Sequence, residues 1–252
     1  MPAFCFTTDI EWSPEWAIDD LFDLAEQHRV PITPFLTHES PAVRRRFGAA
    51  DRRGEAGVHP NFLPGSTHGD RVMSVIDHVV ALWPEAVAFR SHCFYEDTRM
   101  SREMAARGFL YDSNMCAFLQ PDLVPLRTTT QIIRFPVFWE DDVHSSAGLD
   151  WTIDAIARDL ATPGLKIFNF HPLRVALNVP SEAFYEGDRR GFEAGEKTRA
   201  SRHAGRGTRT LFEELVAYAR KHAHPLVTLG ALYEQAVSRG IPRNARTSAT
   251  PL

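Results

Sequence analysis

Short apolar runs alternate along this chain with stretches whose apolar residues recur every three to four positions. Runs at 4–8, 31–36, 56–59, 86–89, 109–111, 132–137, 166–170 and 226–228 read as strands, several of them apolar without alternation, as strands buried on both faces are. Between them Ile18, Leu21, Phe22 and Ala25 mark one helix, and Val72, Val75, Ile76, Val79 and Val80 another. Further helices are expected at 151–160, 211–223 and 229–239. Ser13 followed by Pro14 marks the start of the first. Strands and helices taken in turn predict an α/β fold on parallel strands. One unit is expected over 1–240, with a disordered tail at 241–252.

Polar residues that can do chemistry cluster just past the expected strand ends. Asp9 and Glu11 follow the first strand, His59 the third, and Arg90 and His92 the fourth. Asp112, then Glu140, Asp141 and Asp142, then His171 follow later ones. Ligand sites of α/β barrels and open α/β sheets lie at the carboxyl ends of strands, whereas structural polar residues would scatter over both ends. Asp9 and Glu11 stand two positions apart, so both enter one pocket if the first strand runs on to Glu11.

Composition narrows the classes. The chain has 252 residues, is 44% hydrophobic and carries a formal net charge of −4, a balance that points to neither a nucleic-acid binder nor a membrane-surface binder. No apolar run reaches the roughly 18 residues of a membrane-spanning helix, so no stable insertion is expected. The start, MPAFCFTTDIEW, lacks the basic and apolar regions of a signal peptide. Three cysteines, Cys5, Cys93 and Cys116, form no CxxC pair; an odd, sparse count fits a reducing compartment, and the cytoplasm is the expected location. No GxGxxG, P-loop, HExxH or GxSxG pattern occurs.

The ordered segments Phe6-Thr7-Thr8-Asp9-Ile10-Glu11-Trp12, Gly57-Val58-His59-Pro60-Asn61, Phe89-Arg90-Ser91-His92, Gly108-Phe109-Leu110-Tyr111-Asp112-Ser113-Asn114 and Asn169-Phe170-His171-Pro172 together resemble the polysaccharide deacetylases with a NodB-type domain. HPNF, RSH, FWEDD and NFHP are most similar to a subgroup named for WbmS and associated with bacterial O-antigen gene clusters. The resemblance spans about residues 4–175. It implies a distorted (β/α)7-type barrel and hydrolysis of an N-acyl group, acetyl or formyl, on an amino sugar during surface-polysaccharide biosynthesis.

It also implies roles. Asp9 would be the general base, held ionised by Arg90, and His171 the general acid. Glu11 and His59 would ligate a divalent metal, zinc first, since zinc takes carboxylate oxygen and imidazole nitrogen and keeps a position open for water. The family places a second histidine four residues after the first. Leu63 stands there, so the third ligand is expected from His68, with Asn61 and His92 as alternatives. Asp141 or Asp142 would pair with His171 or with Arg90; His92 and His144 are reserve candidates for the acid. A metal-free hydrolase of a small amide, or a carbohydrate-binding relative without turnover, stand as the other readings.

One segment fits none of this. Residues 180–209 read as a polar loop with Arg189, Arg190, Arg199, Arg202, Arg206 and Arg209. Such guanidiniums could clamp the phosphates of a nucleotide-linked or lipid-pyrophosphate-linked sugar.

Overall fold

A computed structural model describes residues 2–48, 55–193 and 199–241. The tail expected to be disordered, 241–252, lies outside them apart from Ile241. The elements in chain order are β1 (Phe4–Asp9), α1 (Glu15–Gln27), β2 (Ile32–Leu36), α2 (Pro41–Phe47), β3 (Gly57–Val58), α3 (Val72–Leu82) and β4 (Ala88–Phe89). Then come α4 (Thr98–Ala106), β5 (Tyr111–Asp112), β6 (Leu126–Arg127), β7 (Ile133–Arg134), β8 (Trp139–Glu140), α5 (Asp141–Ser146) and α6 (Ala157–Leu160). The chain continues with β9 (Lys166–Phe170), α7 (Pro172–Leu177), α8 (Glu182–Glu193), α9 (Thr208–Lys221), β10 (Leu226–Val227) and α10 (Leu229–Ser238).

The strands form one curled sheet in the order β6-β7-β5-β4-β3-β2-β1-β9-β8, with β10 beside the start of β1. Every pairing is parallel except β6 with β7. A single parallel bridge, Cys116 to Val137, spans the gap between the residues after β5 and those before β8. This is the expected α/β half-barrel of mostly parallel strands.

Strand parity sorts the core into two clusters, because successive side chains point to opposite faces. Phe4 and Phe6 of β1 and Phe168 and Phe170 of β9 face the helices and pack on Phe212 of α9 and Trp139. Each fully buried phenylalanine there is worth about 1.5–3 kcal/mol of transfer free energy. Cys5 of β1, Phe35 of β2 and Ile167 of β9 face the other way, into a cluster with Tyr111, Phe135 and Leu232 and Tyr233 of α10. Continuing along that inner face, Thr7 and Asp9 follow Cys5, and Asn169 follows Ile167. The same parity that fills the barrel therefore delivers polar groups at its carboxyl end.

Several local expectations change. The first strand ends at Asp9, and Glu11 takes a left-handed conformation with φ 43°. Glu11 therefore reaches the pocket by a turn rather than by extended alternation. The turn is held by the Thr37 hydroxyl donating to Glu11 O and by Ser13 N donating to Ile10 O at 3.0 Å. Pro14, not Ser13, occupies the cap position of α1, and no side chain caps that end. The helix expected at 151–160 is broken into a 3-10 turn at Ile153–Ala155 and the four-residue α6. There Trp151 donates its indole N–H to Pro180 O at 2.8 Å, and Ile153 N donates to Glu214 Oε2 at 2.8 Å. Both bonds draw the start of the segment out of a regular helix. The expected loop at 180–209 contains α8.

Candidate active site

The register of the central strands assembles the site. Asp9 is the last residue of β1, and β9 pairs Thr8 with Phe170, so His171 leaves the sheet level with Asp9. Val58 pairs with Phe89, so His59 and Arg90 emerge side by side from β3 and β4. Asp9 and Arg90 are both buried. Arg90 Nη1 donates to Asp9 Oδ1 at 3.0 Å, and Asn169 Nδ2 donates to Asp9 Oδ2 at 2.8 Å. The remaining donors of Arg90 go to Asn169 Oδ1 (2.5 Å), Thr7 Oγ1 (3.0 Å), Ser113 Oγ (2.8 Å) and Ser113 O (3.0 Å), with its guanidinium 4.5 Å from the centre of the Phe35 ring. A guanidinium so fully engaged has one orientation. Burial opposes ionisation of Asp9, but Arg90 above all, with the neighbouring His59 and His171, outweighs it and holds the carboxyl below its usual range.

Beside Asp9 lies a group of candidate ligands. Atoms of Glu11, His59 and His92 all fall within 4.8 Å of one another. His59 Nδ1 is 3.5 Å from Asp9 Oδ1, and Glu11 Oε1 is 3.2 Å from His92 Nδ1. Both ring nitrogens of buried His59 have no hydrogen-bond partner among the described residues. Buried polar atoms left unpaired are costly and call for an explanation. Burial pushes His59 down to about 4, so its imidazole is neutral, while Glu11 is held ionised at about 2 by His171, His92 and His59 against the effect of its burial. Two imidazoles and one carboxylate are a donor set for a divalent transition metal such as zinc. The residues fit the ion that the sequence suggests.

The histidine brought within reach of Glu11 and His59 is His92 rather than His68. His68 spends Nδ1 on the backbone N–H of Asn61 at 3.1 Å and stacks on His78, with ring centres 4.6 Å apart. It lies outside the ligand group. Asn61 turns its Oδ1 to Leu63 N at 3.0 Å. His92 arrives because β4 is the neighbour of β3: His92 N donates to Pro60 O at 2.9 Å, and its ring centre lies 5.6 Å from that of His59.

His171 closes the other side. Its Nδ1 meets Asp141 Oδ1 at 2.6 Å, and its backbone N–H donates to Asp141 Oδ2 at 2.9 Å. Nε2, the nitrogen left over, sits 3.7 Å from Glu11 Oε1. Burial disfavours the imidazolium, yet Asp141 and Glu11 together raise His171 well above its ordinary value. Of the two acidic partners considered, Asp141 takes the pairing. Asp142 instead accepts from Val143 N. Glu140, buried by the end of β8, accepts from Asn169 Nδ2 at 2.8 Å and is held above the usual carboxylate range by burial and by Asp142. His144 is a packing residue, accepting from Trp139 Nε1 at 3.0 Å beside Trp151.

Two positioning residues escaped the sequence reading. Asn169 is one. The other, Asn114, accepts from Ser91 N through Oδ1 and donates through Nδ2 to Tyr95 O and Glu96 Oε2, each at 2.9 Å. These bonds bracket the turn carrying His92, in which Cys93 and Phe94 have φ 53° and 51°. Both asparagines were in view, within Tyr111–Asn114 and Asn169–Pro172, but a sequence does not say which neighbour an amide bonds.

Four of the arginines expected to clamp phosphate are engaged elsewhere. Arg199, Arg202 and Arg209 converge on Asp20 of α1 at 3.0, 2.8 and 2.6 Å, and Arg206 pairs with Glu214 at 2.7 Å. The side chains of Arg189 and Arg190 lie outside the described set.

Residues 6–189 match the family model described as WbmS-like polysaccharide deacetylase. A crystal structure from Bordetella bronchiseptica, assigned as a polysaccharide deacetylase involved in O-antigen biosynthesis (WbmS), is similar with a TM-score of 0.74 and 28% identity, over 85% of this chain and 90% of that one. A structure assigned as a polysaccharide deacetylase from Mycobacterium smegmatis shares the fold, with a TM-score of 0.55 and 17% identity over 99% and 94% of the two chains. No curated protein matches the sequence. No helix among the described residues is long and apolar enough to cross a membrane.

Proposed function

The chain belongs to the WbmS-like polysaccharide deacetylase family, and from that premise we propose that it removes the N-acyl group, acetyl or formyl, of an amino sugar destined for a surface polysaccharide such as an O-antigen, with a divalent metal at Glu11, His59 and His92. The similarity to the Bordetella bronchiseptica protein supports the pathway part of this reading. The observation that carries the chemistry is the placing of the ligand group between a base and an acid: Asp9 lies 3.5 Å from His59, and His171 lies 3.7 Å from Glu11.

The chemistry supplied at such a site by a divalent cation, zinc first by its donor set, is polarisation of the acyl carbonyl and acidification of a water. The chain's own groups do the rest. Asp9, ionised and held at both oxygens, takes the proton of the attacking water as its oxygen bonds to the acyl carbon. Arg90 and Asn169 keep that carboxylate in one orientation, so little reorganisation accompanies the step. His171, protonated and steadied by Asp141, gives its proton to the sugar nitrogen as the carbon–nitrogen bond breaks. The products are a free carboxylate and an amino sugar.

The best support for a metal-free reading was Leu63, where the family has a histidine. His92, brought beside His59 from another strand end, offers an imidazole in its stead and supports the metal reading. The experiment is release of acetate from N-acetylated amino sugars by protein loaded with zinc, compared with chelator-treated protein. Release that is lost on chelation and regained on adding zinc supports the proposal. Turnover indifferent to the chelator, with no ion bound, contradicts its metal part, and no release from any N-acyl amino sugar contradicts the whole.

A further inference from the structure

Three large hydrophobic side chains are exposed among the described residues: Trp12 at 43%, Val124 at 56% and Leu126 at 38%. Val124 and Leu126 lie on the chain that enters the edge strand β6. Trp12 stands one residue beyond Glu11, at the mouth of the site. Its ring meets His92 edge to face, with centres 5.3 Å apart and planes at 86°, and lies 6.0 Å from His68.

The indole is not on a loose segment. The turn beneath it is tied on both sides, by the Thr37 hydroxyl to Glu11 O and by Ser13 N to Ile10 O, and α1 follows directly, with Ala17 N bonded to Pro14 O. Trp12 thus offers a large, rigidly held aromatic surface, partly in water, directly beside the candidate cluster, and its amphipathic ring suits a ligand with one apolar face. Its shape selects the ligand. A pyranose ring presents a flat face of C–H bonds with its hydroxyls around the rim. That face stacks on the electron-rich face of an indole, while the hydroxyls stay hydrated.

Resting on the deacetylase reading above, we infer that Trp12 is the stacking platform for the pyranose ring of the amino sugar, and so the residue that selects a cyclic sugar amide over an acyclic one. The ring lies on the indole, and the N-acyl group reaches past His92 to the cluster of Glu11, His59 and His92. Trp12 takes no part in proton transfer. Its contribution is made equally in the ground and transition states, so it belongs to KM rather than to kcat.

The test uses the zinc-loaded full chain, N,N′-diacetylchitobiose as substrate, and the variants Trp12→Ala, Trp12→Leu and Trp12→Phe. Trp12→Ala should raise KM about tenfold or more with kcat changed less than about threefold. Trp12→Phe, which is flat, should recover most of the loss, and Trp12→Leu, which is apolar but not flat, should not. Bound zinc should stay at the wild-type stoichiometry in all three. Saturation-transfer NMR with methyl N-acetyl-β-glucosaminide should show signal at the ring C–H protons in the wild type and lose it in Trp12→Ala. A wild-type KM in Trp12→Ala, or recovery by Trp12→Leu equal to that by Trp12→Phe, overturns the platform and leaves the deacetylase reading standing. A wild type that neither binds nor hydrolyses these or any other N-acyl amino sugar overturns both.

Discussion

Asn169 donates to Asp9 Oδ2 at 2.8 Å while Arg90 donates to Asp9 Oδ1 at 3.0 Å, so each oxygen of the proposed base has its own donor. The same amide nitrogen reaches Glu140 at 2.8 Å, and the amide oxygen accepts from Arg90 and Thr7. One buried side chain thus ties the base, its arginine and a second carboxyl together.

Asn169→Asp keeps the shape and removes both N–H donors. Asp9 then faces an acceptor, and a third carboxyl joins two others. The expected result is a fall in kcat of about a hundredfold, in the range for disabling a positioned proton carrier, with KM nearly unchanged. Adding Glu140→Gln remakes the bond between positions 140 and 169 and should restore thermal stability without restoring kcat. Recovery of both would assign Asn169 a purely structural role.

The pH profile should be broad. Activity needs Asp9 ionised and His171 protonated. Asp9 is shifted below its ordinary 3.8 and His171 well above its ordinary 6.5, so the two limbs are driven apart. Asp141→Asn removes the carboxylate nearest His171. The imidazolium is then stabilised less, its proton leaves at lower pH, and the basic limb of kcat should move toward acid while the acidic limb stays. A basic limb unmoved in Asp141→Asn would place the general acid elsewhere.

The turn at His92 yields a prediction that needs no turnover. Asn114→Ala removes the three bonds that bracket Ser91 to Glu96. Groups that orient a ligand without touching the metal typically account for about 10–100-fold in affinity. Titration calorimetry of Asn114→Ala with zinc should show a loss in that range. Unchanged affinity would mean the turn keeps its shape without the asparagine.

Much of this was legible in the sequence because β1 and β9 are long, wholly buried runs, and their ends can be placed to within a residue or so. That located Asp9 and His171. β3, β4, β5 and β7 have only two paired residues each, too few for any periodicity, yet the apolar runs around them still marked His59 and Arg90. The left-handed turn at Glu11 was invisible, since a glutamate gives no sign of positive φ. His92 was less legible than His68 as a neighbour of His59, because sequence nearness is not spatial nearness. His68 follows His59 closely but turns back to bond Asn61 N. His92 is far along the chain and comes close through the β3–β4 pairing. Arg199, Arg202 and Arg209 carried no mark of their partner, Asp20, which sits on a helix near the other end of the chain.

The central claim is that Glu11, His59 and His92 hold one divalent ion between Asp9 and His171. Bound zinc, counted in protein loaded with excess zinc and then freed of it by gel filtration, tests it most directly across the wild type, His92→Ala and His68→Ala. The account predicts one ion per chain in the wild type and in His68→Ala, and none in His92→Ala. Binding that survives in His92→Ala and is lost in His68→Ala would contradict it, as would a wild type that retains no ion.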